Sequence, residues 1–304
     1  MTRSTGMQTA LMIAFLVLVW GVNWPLSKYA LAYAPPILFS GIRTLLGGLL
    51  LLAVAIPRYR RLRFKQTWRI YAVSAVVNVV LYYGLQTIGL GYLPSGLFSA
   101  IVFLQPVLVG LFSWLWLGES MNGLKVAGLV LGFAGVAVIC GGSGSASGHI
   151  SAAGILLALG SALSWALGTV FVKKSGAAVD PIWLVSMQLL FGGGFMTALG
   201  SRVERWSDVA WSADFIADLL FIAIFVIALG WLVFYRLMDS GDASKVASYT
   251  FLIPLVAILT GCLFFGEPFS LSLLAGLILV LGSIFLVNRR PSRRAPRRLA
   301  HAAK

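Results

Sequence analysis

The sequence predicts an all-α membrane protein of ten transmembrane helices, arranged as two inverted five-helix repeats with both termini cytoplasmic, and three observations predict it. Hydrophobic residues make up 60% of the 304 and charged residues 11%, against roughly 45–50% and about 25% in soluble domains, so a water-soluble fold could not hide the apolar surface. No residue between Arg69 and Glu119 is charged, and His149 is the only acidic or basic side chain between Lys125 and Lys173. Each stretch suffices to cross a bilayer twice at about 20 residues per span. The third observation is that the chain repeats itself at nearly constant offsets.

Apolar runs and their Gly, Pro and Ser punctuation place the spans at 9–32, 36–57, 68–91, 94–117, 122–141, 151–174, 181–200, 214–238, 243–266 and 269–288. The first apolar run, Gln8 to Leu31, exceeds the core of a signal peptide and is read as retained. Cys140 and Cys262 fall inside apolar spans as small hydrophobes, with no metal or disulfide spacing.

The net charge of +14 lies at predicted membrane edges. Six basic residues (Arg58, Arg60, Arg61, Arg63, Lys65, Arg69) crowd the second loop, and seven (Arg289, Arg290, Arg293, Arg294, Arg297, Arg298, Lys304) crowd the tail. With Arg3, Lys125, Lys173, Lys174, Arg236 and Lys245, that puts nineteen of the 23 Lys and Arg on one side if the N-terminus is inside. The positive-inside rule then makes both termini cytoplasmic. Clustering at edges argues for anionic lipid headgroups and against nucleic acid as the partner of this charge.

Trp20 to Lys28 (WGVNWPLSK) aligns with Trp165 to Lys173 (WALGTVFVK) at an offset of 145, which also pairs Pro36 with Pro181, Arg43 with Gln188, and Gly47-Gly48 with Gly192-Gly193. An offset of 148 pairs Pro106 with Pro254, Gly118-Glu119 with Gly266-Glu267, and Gly128 with Gly276. Five spans per copy is an odd number, so the second copy must enter the membrane upside down. The predicted organisation is a first repeat at 1–141, a Gly/Ser linker at 142–150, a second repeat at 151–288 and a basic tail at 289–304. Inverted repeats of this kind place a substrate site near the midplane between the halves.

The WxxN…P…K of span one (Trp20, Asn23, Pro25, Lys28), the prolines of spans four and nine, and the doubled LGE/FGE before a Gly-rich helix resemble the EamA group of the drug/metabolite transporter superfamily over residues 9–288. The resemblance implies export of amino acids, other metabolites or drugs, with the group's aromatic amino-acid exporters among the similar members. The second copy departs from the first in having Gln188 for Arg43 and no proline in span six.

Trp20, Asn23, Trp24 and Ser27 share one helical face, read either as a cavity wall bent at Pro25 or as a packing face. Asn78, Tyr82 and Gln86 form a polar stripe in span three, with Tyr83 beside it; lipid would penalise the stripe, so it faces the bundle as cavity lining or as helix–helix glue. Phe98, Ile101 and Gln105 lie beside Ser99 and Pro106 in span four, mirrored by Val246, Tyr249 and Ile253 beside Pro254 in span nine. The matched prolines read as a binding-site pointer and as hinges, together with Pro25, or as plain kinks. Arg43, two turns into span two, either answers a substrate carboxylate or snorkels to the interface. Lys28 reads as an interface anchor, and Glu119 and Glu267 as helix-terminus charges or partners of Lys125 or Arg43 in a gate. Gly128, Gly132, Gly135, Gly276 and Gly282 read as close-packing positions of spans five and ten.

The acidic residues fall at or near span ends and neither His149 nor His301 falls within a span, so transport is expected to proceed without a buried carboxylate proton relay. The same absences speak against an enzyme, a metal site and any cofactor. The functional expectation is an exporter of small amphipathic metabolites in a bacterial-type inner membrane, hydrophobic and aromatic amino acids first, working by alternating access. The predicted substrate site comprises Trp20, Arg43, Asn78, Tyr82, Tyr83, Gln86, Phe98, Ser99, Gln105, Trp165, Gln188 and Tyr249. Alternatives are export of cationic drugs and a non-transporting scaffold. Partners are a small-molecule substrate and membrane lipids; a homo-oligomer stays open.

Overall fold

The computed structural model describes residues 6–142, 151–175, 178–239 and 252–288, and among these every regular element is helical. The helices are α1 (Gly6–Ala30), α2 (Pro36–Ala55, extended by a tight turn to Arg61), α3 (Phe64–Leu90), α4 (Ser95–Leu117), α5 (Gly123–Gly142), α6 (Ala152–Ser175), α7 (Pro181–Val203), α8 (213–239), α9 (Leu252–Phe265) and α10 (Leu271–Asn288). Seven of them are long and apolar enough to cross a membrane: α1 to α4, α6, α7 and α8; α5, α9 and α10 hold shorter apolar stretches. Most of the linker, the first half of span nine with Tyr249, Val246 and Lys245, and the basic tail lie outside the described residues.

Polarity is distributed for lipid. Leu18, Phe195, Leu263 and Phe264 point outward, whereas Ser27, Ser40, Thr44, Ser74, Gln86 and Ser161 are buried between helices. With hydrocarbon outside, a polar side chain is satisfied only inward.

Three helices depart from regular α geometry. α4 breaks at Phe103 and Leu104 because Pro106, second residue of the following segment, has no N–H to offer and its ring displaces the carbonyl one turn back. α3 and α8 each contain a wide π segment, Val76–Leu81 and Ile222–Leu229. Such segments loosen the backbone ladder, and side chains from neighbours complete it: Ser164 Oγ donates to the Val77 carbonyl at 2.7 Å and Trp20 Nε1 to the Val226 carbonyl at 3.1 Å. α1, by contrast, stays one helix through Pro25. α3 also begins earlier than predicted, at Phe64, where the Arg63 carbonyl accepts from Gln66 N, Thr67 N and Thr67 Oγ1.

Two helix pairs pack at backbone distance. A Cβ on Gly193 of α7 would lie 2.6 Å from Leu45 N of α2, and one on Gly276 of α10 would lie 2.6 Å from the Gly135 carbonyl of α5. The glycine stripes of α5 and α10 thus pack on each other. Gly276→Ala is expected to force these helices apart at a cost of about 1–3 kcal/mol, as overpacking does, read as a lowered unfolding temperature in detergent; an unchanged temperature would refute the contact.

Candidate functional site

Between α1, α3, α4, α6, α7, α8 and α9 lies a cavity of about 430 Å³, within the range of small-molecule sites, roughly 300–1,000 Å³. Eleven residues singled out in the sequence line it: Trp20, Asn23, Trp24, Asn78, Tyr82, Tyr83, Gln105, Pro106, Trp165, Gln188 and Ile253. Two aromatic walls face it. Trp165 of α6 stacks on Tyr82 at 4.9 Å and meets Phe103 edge-on at 6.2 Å, with Tyr83 4.7 Å from Tyr82. Trp20 of α1 contacts Trp231 and Phe234 of α8, each at 5.6 Å. Polar groups stand between the walls: Gln105 Nε2 donates to Thr169 at 3.1 Å, Asn78 Nδ2 donates to Ser74 at 3.0 Å, and the Gln188 carbonyl accepts from Ser74.

Other predicted site residues lie elsewhere. Phe98 and Ser99 are fully buried in the first segment of α4, where Ser99 donates to its own helix at Gly96 and Phe98 packs against Gly89 and Trp24. Helical spacing put them on the face of Gln105, but the break at Phe103 turns that face away and presents Phe103 instead. Gln86, one turn beyond Tyr82, is enclosed by its neighbours, and neither amide atom has a hydrogen-bond partner among the described residues. Pro25 and Pro254 do not line the cavity, the latter sitting in the first turn of α9. Tyr249 lies outside the described residues.

Arg43 is buried, with 1% exposure, and does not snorkel. Nη1 donates to Ser27 Oγ at 2.6 Å and Nη2 to Thr87 Oγ1 at 3.0 Å, while the guanidinium lies over the rings of Phe39 and Tyr83 at 5.0 and 5.3 Å. It stands one layer behind the cavity wall. Ser27 hands the contact on to Asn23 Oδ1 at 3.2 Å, and Tyr83 lines the cavity directly.

Sequence reasoning missed Phe103, Trp231 and Phe234, and Thr169 with them. The repeat held a signal for two: the offset of 148 carries Tyr83 to Trp231 and Gln86 to Phe234. It also misjudged Asp218. That residue sits near the start of α8, yet it is buried at 7% exposure and both carboxylate oxygens lack a hydrogen-bond partner among the described residues. Nearness to a helix end is not nearness to water, so the premise that no span holds a buried carboxylate fails here.

The two ends of the bundle are tied differently. At one, Lys28 reaches Glu267 at 3.6 Å and the Leu93 carbonyl at 2.9 Å. Glu267 caps α4 by accepting from Ser95 N at 2.7 Å, Gly96 N at 3.1 Å and Ser95 Oγ at 2.8 Å. Lys28 is therefore an ion-pair partner as well as an interface residue, and Glu267 caps a helix of the other repeat, not the next one. At the other end, Glu119 is hydrogen-bonded to Lys173 and lies 3.5 Å from Lys125. The Lys173 hydrogen bond, with the nearby lysine charges, holds the Glu119 carboxyl below its ordinary range against desolvation. That contribution is therefore full at neutral pH and lost as pH falls through the depressed value. The cavity lining continues toward this second end, through Val109, Val172, Leu184 and Phe234.

The sequence profile of the EamA-like transporter family matches residues 7–141 and, again, 152–289. A protein of Bacillus subtilis (strain 168) described as an uncharacterized transporter, YvbV, is 64% identical over 283 residues, covering 93% of this chain and 92% of its own. Proteins described as probable amino-acid metabolite efflux pumps in Salmonella typhimurium (strain LT2) and Escherichia coli (strain K12) are 26% and 25% identical, covering 94% of this chain and 95% of theirs. One crystal structure shares the fold with a TM-score of 0.66 over 93% of this chain and 96% of its own, at 20% identity.

Proposed function

The chain belongs to the EamA-like transporter family, a multi-pass inner-membrane transporter and not an enzyme, and on that premise we propose that it exports small amphipathic metabolites, hydrophobic and aromatic amino acids first. The observation that carries this reading is the cavity with one aromatic wall from each side, Tyr82 with Trp165 and Trp20 with Trp231. Rings of these types stack with a substrate ring at 4.5–7 Å, while Asn23, Asn78, Gln105 and Gln188 offer partners to its polar end. The efflux-pump description of two distant relatives agrees with the substrate class.

In this reading the ten spans form two inverted halves, 1–141 and 151–288, that alternate access to the cavity. Several pairs of features support it, each related by the offsets of 145 to 148. The π segments of α3 and α8 correspond, Val76–Leu81 with Ile222–Leu229. The ion pairs Lys28–Glu267 and Lys173–Glu119 correspond too, at opposite ends of the bundle. Left-handed Gly118 and Gly266 end the corresponding helices α4 and α9. Arg61, Lys125, Lys173 and Lys174 share the Lys173 end, which on the positive-inside rule is cytoplasmic. The cavity then opens inward.

Efflux of radiolabelled phenylalanine from cells overproducing the protein tests the reading. Tyr82→Ala and Trp165→Ala are each expected to slow efflux roughly tenfold, the loss of one well-stacked ring, with unchanged yield of monodisperse protein. Wild-type rates in both variants would remove the cavity from the pathway.

A further inference from the structure

The cavity chemistry makes no use of Asp218. A carboxylate buried away from water is ordinarily held by several donors, because an unpaired charge in a low-dielectric interior is costly. Neither oxygen of Asp218 accepts a hydrogen bond among the described residues. Among the described residues, the titratable groups that face it are few. From α2 comes Arg43, within electrostatic reach but with no nitrogen within 4.0 Å of either oxygen. From α1 comes Tyr29, whose hydroxyl shares a 2.7 Å hydrogen bond with Tyr33; from α8 itself comes Asp214, which is exposed.

Arg43 is incomplete as well. Its two terminal nitrogens are engaged by Ser27 and Thr87, but Nε is buried with no hydrogen-bond partner among the described residues. An acid and a base thus sit near each other inside the helix bundle, each short of hydrogen bonds among the described residues, without closing an ion pair. If stability alone had shaped the site, contact between them or apolar replacements would serve better. An intramembrane ionisable residue left in this condition marks a functional site.

We propose that Asp218 is a proton-binding site of the transport cycle, linked to the cavity through Arg43. The carboxylate takes a proton from water to become the neutral acid and returns it as the carboxylate; no other bond changes. With the acid neutral, the Arg43 charge stands uncompensated and bears on Ser27, Asn23 and Tyr83, which connect it to the cavity wall. With the carboxylate charged, the guanidinium is drawn toward Asp218. Because linkage is reciprocal, whatever moves Arg43 from the cavity side changes proton occupancy at Asp218. The proposal rests on the transporter reading but not on the choice of substrate.

The test needs no substrate. Purified protein in lipid nanodiscs is titrated from about pH 4 to about pH 9, the range spanned by carboxyl and histidine groups, while infrared difference spectra follow the protonated-carboxyl stretch and tryptophan fluorescence follows the cavity. Wild type and Asp214→Asn are expected to show one buried-carboxyl step, accompanied by a fluorescence change. Asp218→Asn should lose both, and Asp218→Glu should keep a step at a shifted midpoint; size-exclusion profiles report whether each variant is folded. Persistence of the step in folded Asp218→Asn, or its absence from wild type and from Asp218→Glu, overturns the proposal. A failure to export phenylalanine would leave this titration untouched, so the two readings fail separately.

Discussion

Arg43→Ala is expected to cost about 3–5 kcal/mol, the penalty for removing one partner from a buried set of charges, and to lower the unfolding temperature of the protein sharply. The guanidinium ties three helices together. It joins Ser27 of α1 to Thr87 of α3 from its own place on α2, and it packs over Phe39 and Tyr83. Alanine would open a void at the junction of three helices and strip Asp218 of the one cation that faces it among the described residues. Arg43→Lys retains charge but offers a point donor in place of a fork, so it is expected to recover part of the loss. Adding Asp218→Asn to Arg43→Ala should recover more, because the uncompensated carboxylate is then gone. Unfolding temperatures of the three variants and of Asp218→Asn alone, in one detergent, form a cycle that measures the coupling. A coupling of zero would show that Arg43 and Asp218 do not sense each other.

How far the sequence was legible depends on what kind of signal each residue emits. Trp20, Tyr82 and Trp165 were readable because an aromatic repeating at a fixed offset, or beside a polar stripe, stands out against leucine and valine. Asn78 and Gln188 were readable because an amide within an apolar run must face inward. Trp231 and Phe234 sit in a helix with no polar stripe, so periodicity alone could not orient them; the repeat offset applied to Tyr83 would have. Phe98 and Gln86 lie off the cavity for another reason. They obey the spacing of an unbroken helix, whereas α4 is broken at Phe103 and α3 is widened over Val76–Leu81, and each change rotates the face that follows. Asp218 shows that depth is a property of the packing around a residue, not of its count from a helix end. The partnership of Lys28 with Glu267 spans most of the chain and no local pattern announces it, although both members recur, at Lys173 and Glu119.

That recurrence leads to the second large effect, an asymmetry between two sites that the repeat makes equivalent. Glu267→Ala is expected to be strongly destabilising and Glu119→Ala nearly silent. Glu267 is 8% exposed at its side chain, caps the first turn of α4 with both oxygens and compensates Lys28. Its loss removes a helix cap, worth about 0.5–2 kcal/mol, and leaves buried N–H donors and a half-buried ammonium without their acceptor. Glu119 and Lys173 are 36% and 53% exposed, and exposed pairs contribute about 0–1 kcal/mol. On the alternating-access reading the imbalance has a meaning: the Lys28 end is shut and its pair buried, while the Lys173 end is open and its pair wet. Inverting the halves should invert the burden. A condition that opens the Lys28 end, such as saturation from that side with an impermeant substrate analogue, is then expected to raise the cost of Glu119→Ala and lower that of Glu267→Ala. Hydrogen exchange at Ser95 and Gly96 amides, compared between wild type and Glu267→Ala, reads the closed end directly: protection should fall in the variant. Equal protection would mean that the cap is dispensable and that some other contact holds that end shut.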